Sequence, residues 1–423
     1  MKKRRAENTD HRPLQKQATP AARRARVAVM ALFFSNGALF ANFVPRFPLL
    51  KDVFELDPSE YGLVIAAFPL GAMIGGPLAG FLVRRLNSAR VAAHGTILIG
   101  VFLFCGASLV TVSSNREGPA SIATVAAFAV IYAFAGSTDA IVDVGQNAHG
   151  FRVQRLYGRS IVNAFHAAWS AGAMTGGLMG MAATALRVPL GWHIGSVALL
   201  FSLVAIWAYR RTLPGRDRVG AMEEQQLHRV EVRRWPTLMV LTILVIMAIA
   251  GVSVEDIATT WSTLFMRDYL AVLPSLAASA YVLMLFFQLL GRATGDWFIN
   301  RFGAQSTVLV GGLIILMGTG VIALHPHPVT TVAGFALAGF GCATTVPIAM
   351  NAADDLPGLK AGTGLTIVSW LMRLFFFAAP PIIGQVVEAT SLLSAILILP
   401  VAGFIIALCA VVLVEKNSPP QRI

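Results

Sequence analysis

Twelve apolar runs of roughly 20 residues constrain this chain more than any other feature, because each is long enough to cross a bilayer as a helix. They fall at about 27–48, 61–83, 91–112, 120–145, 161–185, 192–209, 237–265, 275–298, 306–323, 330–350, 362–387 and 391–414. The fold class that follows is an all-α membrane protein of twelve transmembrane helices. With 56% hydrophobic and 13% charged residues, the chain does not have the balance of a soluble globular protein.

The charges say which way the spans run. With the N-terminus inside, 26 of the 33 Lys and Arg residues fall in inner segments and five on the outer side; Arg292 and Arg373 lie within spans. That is a strong positive-inside bias. It accounts for the net charge of +12 without a nucleic acid partner, for which there is no aromatic–basic motif. The expected location is the cytoplasmic (inner) membrane, with both termini cytoplasmic and the bilayer as the chain's partner. Cys105, Cys342 and Cys409 fall in apolar runs and read as packing residues.

A short basic turn appears twice. Gly80-Phe81-Leu82-Val83-Arg84-Arg85-Leu86-Asn87 returns as Asp296-Trp297-Phe298-Ile299-Asn300-Arg301-Phe302-Gly303, about half a chain later and without gaps. A helix that leaves a membrane and re-enters at once needs a left-handed joint. Gly303 takes that conformation freely, and Asn87 is the next best residue for it. The duplication divides the chain into a basic tail (1–26), a six-helix half (27–209), a cytoplasmic linker (210–236), a second six-helix half (237–414) and a short tail (415–423).

The turn resembles the Gly-x-x-x-Asp-Arg-x-Gly signature of the major facilitator superfamily, found between the second and third spans of each half. Arg84 and Asn300 replace its acid, and Asp296, one turn earlier, is the acid available to a gating latch. The gating set is therefore Gly80, Arg84, Arg85, Asn87, Asp296, Arg301 and Gly303.

Polar residues inside the spans mark a pathway, because a charge at membrane depth must face protein or a wet cavity. In span one, Asn42 and Arg46 share a face if the helix survives Pro45. Arg46 fits two readings, snorkelling to the outer surface or contacting an anion at the mouth of a pathway. In span four, Asp139, Asp143 and Asn147 repeat every four residues. In span five, Asn163, His166 and Trp169 precede a ridge of Gly172, Gly176 and Gly180 suited to close helix contact. For Asp143 a structural hydrogen bond, and for His166 an interhelical one, stand beside the functional readings. In span seven, Glu255 and Asp256 are adjacent and cannot share a face, so one of them, Glu255, is expected to line the cavity; Trp261 follows. Tyr281, Gln288 and Arg292 form one face of span eight, and Thr366, Ser369, Trp370 and Arg373 one face of span eleven. His325 and His327 are too few for a metal site, and neither metal nor cofactor is assigned.

A closer resemblance rests on Asp143-x-x-x-Asn147-Ala148, the turn Arg155-Leu-Tyr-Gly158-Arg159, and Phe165-His166-Ala-Ala-Trp169-Ser170-x-Gly172. With Arg46-Phe-Pro48, Trp261-Ser262 and Gly291-Arg292-x-x-Gly295-Asp296, these are similar to the YbjJ-like branch near the fucose permeases. Thr260 stands where that branch usually has Asp, and Gly145-Gln146 where it has Ala-Met.

The resemblance implies two halves rocking about a midplane site. The expected function is secondary active transport of a small polar or anionic organic solute, coupled to protons through Asp143 and Glu255, by a monomer. The solute pathway is assigned to Asn42, Arg46, Asp139, Asn147, Asn163, His166, Trp169, Trp261, Gln288 and Arg373. The alternative is proton-driven efflux of a drug or metabolite. A non-transport polytopic protein is disfavoured, and no compact catalytic cluster suggests an enzyme. Reporter fusions in the 210–236 linker should show cytoplasmic activity; an outward-facing linker overturns the topology.

Overall fold

The computed structural model describes residues 19–115, 120–157, 161–215, 232–233, 235–354, 356–359 and 363–414. Most of the N-terminal tail, Arg116, the Gly158-Arg159 turn, the centre of the linker, the C-terminal tail and the Asn163 side chain lie outside the described residues.

Ten described helices are long and apolar enough to cross a membrane. The longest, Ser279–Leu324, contains a non-helical residue, Gly303 (φ 83°, ψ 162°). Dividing it there gives spans eight and nine. Val162–Ala185, rich in glycine and alanine, is of similar length. Counted with these, the described residues contain the twelve membrane-length helices that the hydropathy pattern predicts.

Asn87 adopts nearly the same backbone as Gly303 (φ 77°, ψ 155°). One residue therefore joins spans two and three, as one joins spans eight and nine. The Asn87 side chain also accepts a hydrogen bond from the Arg90 N–H at 2.9 Å, capping the helix that follows. The repeated turn is thus the same local structure in both places.

Three boundaries differ from hydropathy. Span one starts at Pro20, capped by the Thr19 hydroxyl, so Arg23, Arg24 and Arg26 already lie on the helix. Pro45 tightens Val44–Arg46 to a 3-10 turn, and helix resumes over Phe47–Val53. Span seven (Thr237–Thr260) breaks at Trp261 and ends in a π-turn over Phe265–Tyr269.

The burial pattern departs from that of a soluble protein at the surface and at a few buried polar positions. Large apolar side chains such as Leu63, Ile74, Leu78, Phe134 and Phe404 are exposed, whereas Asn42, Gln146, His149, His193 and Gln288 are buried. Lipid is as apolar as leucine, so helix contact depends on close packing rather than apolar burial. Span five provides it. A Cβ at Gly172, Gly176 or Gly180 would strike the Phe34, Ala38 or Asn42 carbonyl oxygen of span one. The glycines recur every four residues, and so do the carbonyls they meet.

The first six and last six spans meet most closely at the end opposite the linker, here called the far end. Arg267 donates to both Asp52 carboxylate oxygens, at 2.6 and 2.8 Å. Burial alone would lower the Arg267 pKa, but the Asp268 and Asp52 carboxylates outweigh it and raise it. The Tyr61 hydroxyl donates to the Thr260 carbonyl at 2.7 Å, and the Tyr61 ring packs edge-on against Trp261. Gly62 abuts the Pro380 carbonyl, and Gly384 that of Pro58.

The Gly172→Val protein should be destabilised by about 1–3 kcal/mol through overpacking. Gly320→Val, at a position with open space around it, should be near neutral. Thermal unfolding of the two purified variants checks this; equal midpoints contradict close packing of spans one and five.

Candidate functional site

A cavity of about 460 Å³ lies between the first six and last six spans. Its far-end roof is the closure just described. Both sets of spans supply its polar groups, several of them held by a definite partner.

On the first side, the Trp169 indole N–H donates to the Asn36 Oδ1 at 2.9 Å, and the Asn36 Nδ2 donates to Asp139 Oδ1 at 2.7 Å. This chain ties spans five, one and four together and leaves the indole and the carboxyl on the cavity wall. One turn toward the linker end, Asp143 is exposed and accepts from the Asn147 amide at 2.9 Å. His166, also exposed, packs edge-on to Phe33.

On the second side, Glu255 Oε1 accepts from Gln288 Nε2 and from Arg292 Nη2, the latter at 3.0 Å. Arg292 Nη1 reaches across to the Ser170 hydroxyl at 3.1 Å, so one guanidinium links the two sets of spans at mid-depth. Asp256 is buried on the cavity wall, with its Oδ2 unpartnered among the described residues. Arg373 lines the same cavity, within electrostatic reach of Asp139 and Asp143, and makes no hydrogen bond or ion pair among the described residues. Its guanidinium is free to take a ligand.

Much of the rest of the wall is apolar, including Phe40, Phe68, Met284, Met350, Met372 and Phe376. Such a cavity can enclose a small organic molecule, orient it by one cation and one acid, and exclude bulk water from the far side.

The sequence matches the profile of the Major Facilitator Superfamily over residues 29–291. The chain belongs to this superfamily. An uncharacterized transporter of Sinorhizobium fredii is 25% identical over 386 residues, covering 91% of this chain and 97% of the relative. An uncharacterized MFS-type transporter of Yersinia pestis is 26% identical over 383 residues, covering 90% and 93%. Among solved structures, a mutant of the nucleoside transporter NupG superposes with a TM-score of 0.67 at 16% identity, covering 91% of this chain and 98% of that one. The chain is therefore a multi-pass membrane protein of a transporter family and not an enzyme.

Within this superfamily fold, the residues singled out from the sequence separate into groups. Asp139, Trp169, Glu255, Gln288 and Arg373 line the central cavity. Asp143, Asn147 and His166 lie toward the linker end from it. Asn42 is buried in a helix contact, its Oδ1 3.0 Å from His193 Nε2. Arg46 lines a different cavity at the far end. Trp261 is fully buried in the far-end closure and does not line the central cavity. The expectation that only one of the adjacent acids reaches the cavity is corrected: Glu255 and Asp256 both line it, next to the break at Trp261. Ser369 and Arg373 face the cavity, but Trp370 does not share their face and is exposed. Arg84, Arg85, Asp296 and Arg301 are exposed, and Asp296 forms no latch among the described residues.

Asn36 is a site residue that the sequence pattern does not single out. Its signal is modest: one more amide in an otherwise apolar span.

Weakening the far-end bridge should favour opening on that side. In an Asp52→Asn protein carrying Ser369→Cys, an impermeant maleimide added from the far side should label the cavity cysteine about two- to fivefold faster, the scale of a partly exposed ion pair. The same protein with Asp52 intact is the reference, and unchanged labelling excludes the bridge as a latch.

Proposed function

We propose that this protein is a secondary active transporter that moves a small polar or anionic organic solute across the cytoplasmic membrane by alternating access, coupled to protons. The observation that carries the reading is Arg373. It is an unbonded guanidinium facing Asp139 across a cavity built by both sets of six spans. A cation at membrane depth with no resident partner is costly, and a carboxylate or polarised oxygen on the solute would offset that cost. Trp169 and Phe68 offer apolar surface to the solute's carbon skeleton.

Two six-helix halves, 27–209 and 237–414, joined by the 210–236 linker, would rock about this site. With the basic linker end cytoplasmic, the closed far end would make this a state shut toward the outside. The resemblance to the YbjJ-like branch near the fucose permeases fits this architecture. We assign the protein to the monomeric state, with both termini cytoplasmic.

Proton coupling is assigned to Asp143 in the first half and Glu255 in the second. Asp143 sits between the cavity and the cytoplasmic end, within reach of His166 and Arg373. Glu255 holds the guanidinium that bridges to Ser170. Protonating Glu255 would weaken its hold on Arg292 and loosen the link between the halves. Asn147 and His166 would line the cytoplasmic approach. A second reading, proton-driven efflux of a drug or metabolite, draws support from the Phe- and Met-rich wall, which suits apolar cargo.

Flux into proteoliposomes under an imposed pH gradient tests the proposal. Asp143→Asn should abolish gradient-driven accumulation while sparing exchange at equal pH. Arg373→Gln should weaken binding of an anionic solute about tenfold, or ~1.4 kcal/mol. Full accumulation by a well-expressed Asp143→Asn protein removes Asp143 from the coupling step. Transport of neutral hydrophobic cargo, insensitive to Arg373→Gln, selects the efflux reading.

A further inference from the structure

A second cavity, of about 590 Å³, opens at the far end. It shares no lining residue with the central one. Three arginines line it, Arg46, Arg187 and Arg267, against one acid, Asp52.

The charges there do not cancel. Both Asp52 oxygens are engaged by Arg267, which also binds Asp268. Arg187 is exposed, and its guanidinium makes no hydrogen bond or ion pair among the described residues. Arg46 is the informative member, only 5% exposed. Its Nη1 donates to the Thr184 hydroxyl at 3.3 Å and its Nη2 to the Val188 carbonyl at 2.6 Å. Its Nε has no partner among the described residues. A hydroxyl and a carbonyl satisfy donors but do not neutralise a charge, and a buried guanidinium without an acid is unfavourable. His193, the neighbouring titratable group, is engaged with Asn42 and brings no negative charge.

We propose that the far-end cavity is an anion-binding site, separate from the central cavity, that takes a carboxylate or phosphate group between Arg46 and Arg187. The planar, multi-donor guanidinium suits either oxyanion. The inference stands on charge and burial at the far end and does not depend on the solute or the proton coupling proposed above. Its consequence reaches the closure: Arg267 belongs to this wall and to the bridge with Asp52. An anion seated here competes with Asp52 for Arg267 and so favours opening of the far end.

The test is thermal unfolding of the full-length protein in neutral-lipid nanodiscs. Inorganic phosphate or acetate is titrated at constant ionic strength. The expected result is a saturable rise in midpoint, with half-saturation shifted about tenfold or more in Arg46→Gln and Arg187→Gln and unchanged in Arg210→Gln, an exposed arginine at the opposite end that lines neither cavity. Arg187→Gln alters an exposed side chain, so it reads the site even if Arg46→Gln fails to fold. If discs containing phosphatidylglycerol raise the midpoint and abolish the phosphate response in an Arg46-dependent way, the site holds and its occupant is a lipid headgroup. No saturable response in either lipid, an equal response in the Arg46 and Arg187 variants, or loss of response only in Arg373→Gln overturns the proposal.

Discussion

A charge at the centre of a bilayer costs about 3 kcal/mol on insertion scales, and the interior of this protein is arranged by that cost. Asp139 is held by Asn36, and Glu255 by Gln288 and Arg292. Arg373 remains unbonded because it faces the cavity rather than lipid. The outer surfaces of the same helices carry leucine, phenylalanine and isoleucine. The cavity is thus the one place at mid-depth where this set of side chains can exist at tolerable cost.

Most of the fold is legible in the sequence because a membrane leaves few choices. Apolar run length sets the number of spans. The left-handed joint needs glycine or asparagine, so Asn87 and Gly303 mark the turns by residue type alone. The glycine ridge of span five is legible for a similar reason, since small residues every four positions have one obvious use. The places where hydropathy fails are chemical as well. Pro20 and Thr19 start span one inside a basic segment that hydropathy scores as tail.

The site is legible only as an inventory. A polar residue in an apolar run announces itself, and Asp139, Trp169, Glu255, Gln288 and Arg373 stand out that way. Where each points depends on the rotation of its helix, which the neighbouring helices set. Asn42 and Trp261 look like cavity residues by the same criterion, yet one meets His193 and the other is sealed under Tyr61. Pairings such as Arg292 with Ser170, 122 positions apart, leave no periodic trace in the sequence. Asp256 reaches the cavity beside its neighbour although both lie in the unbroken helix Thr237–Thr260, because the cavity wraps around more than one face of span seven, where Thr259 and Thr260 line it too.

The one-residue joints at Asn87 and Gly303 have a mechanical consequence. A connection that short has no slack, and its backbone is already committed to a single conformation. Spans two and three, like spans eight and nine, are tied without slack at one end, so a displacement of either span at the joint moves the other. Span two and span eight both line the cavity, whereas span three and span nine do not. A displacement of the cavity-lining span is therefore passed at the joint to its outer partner, which couples the wall of the cavity to the bilayer around it.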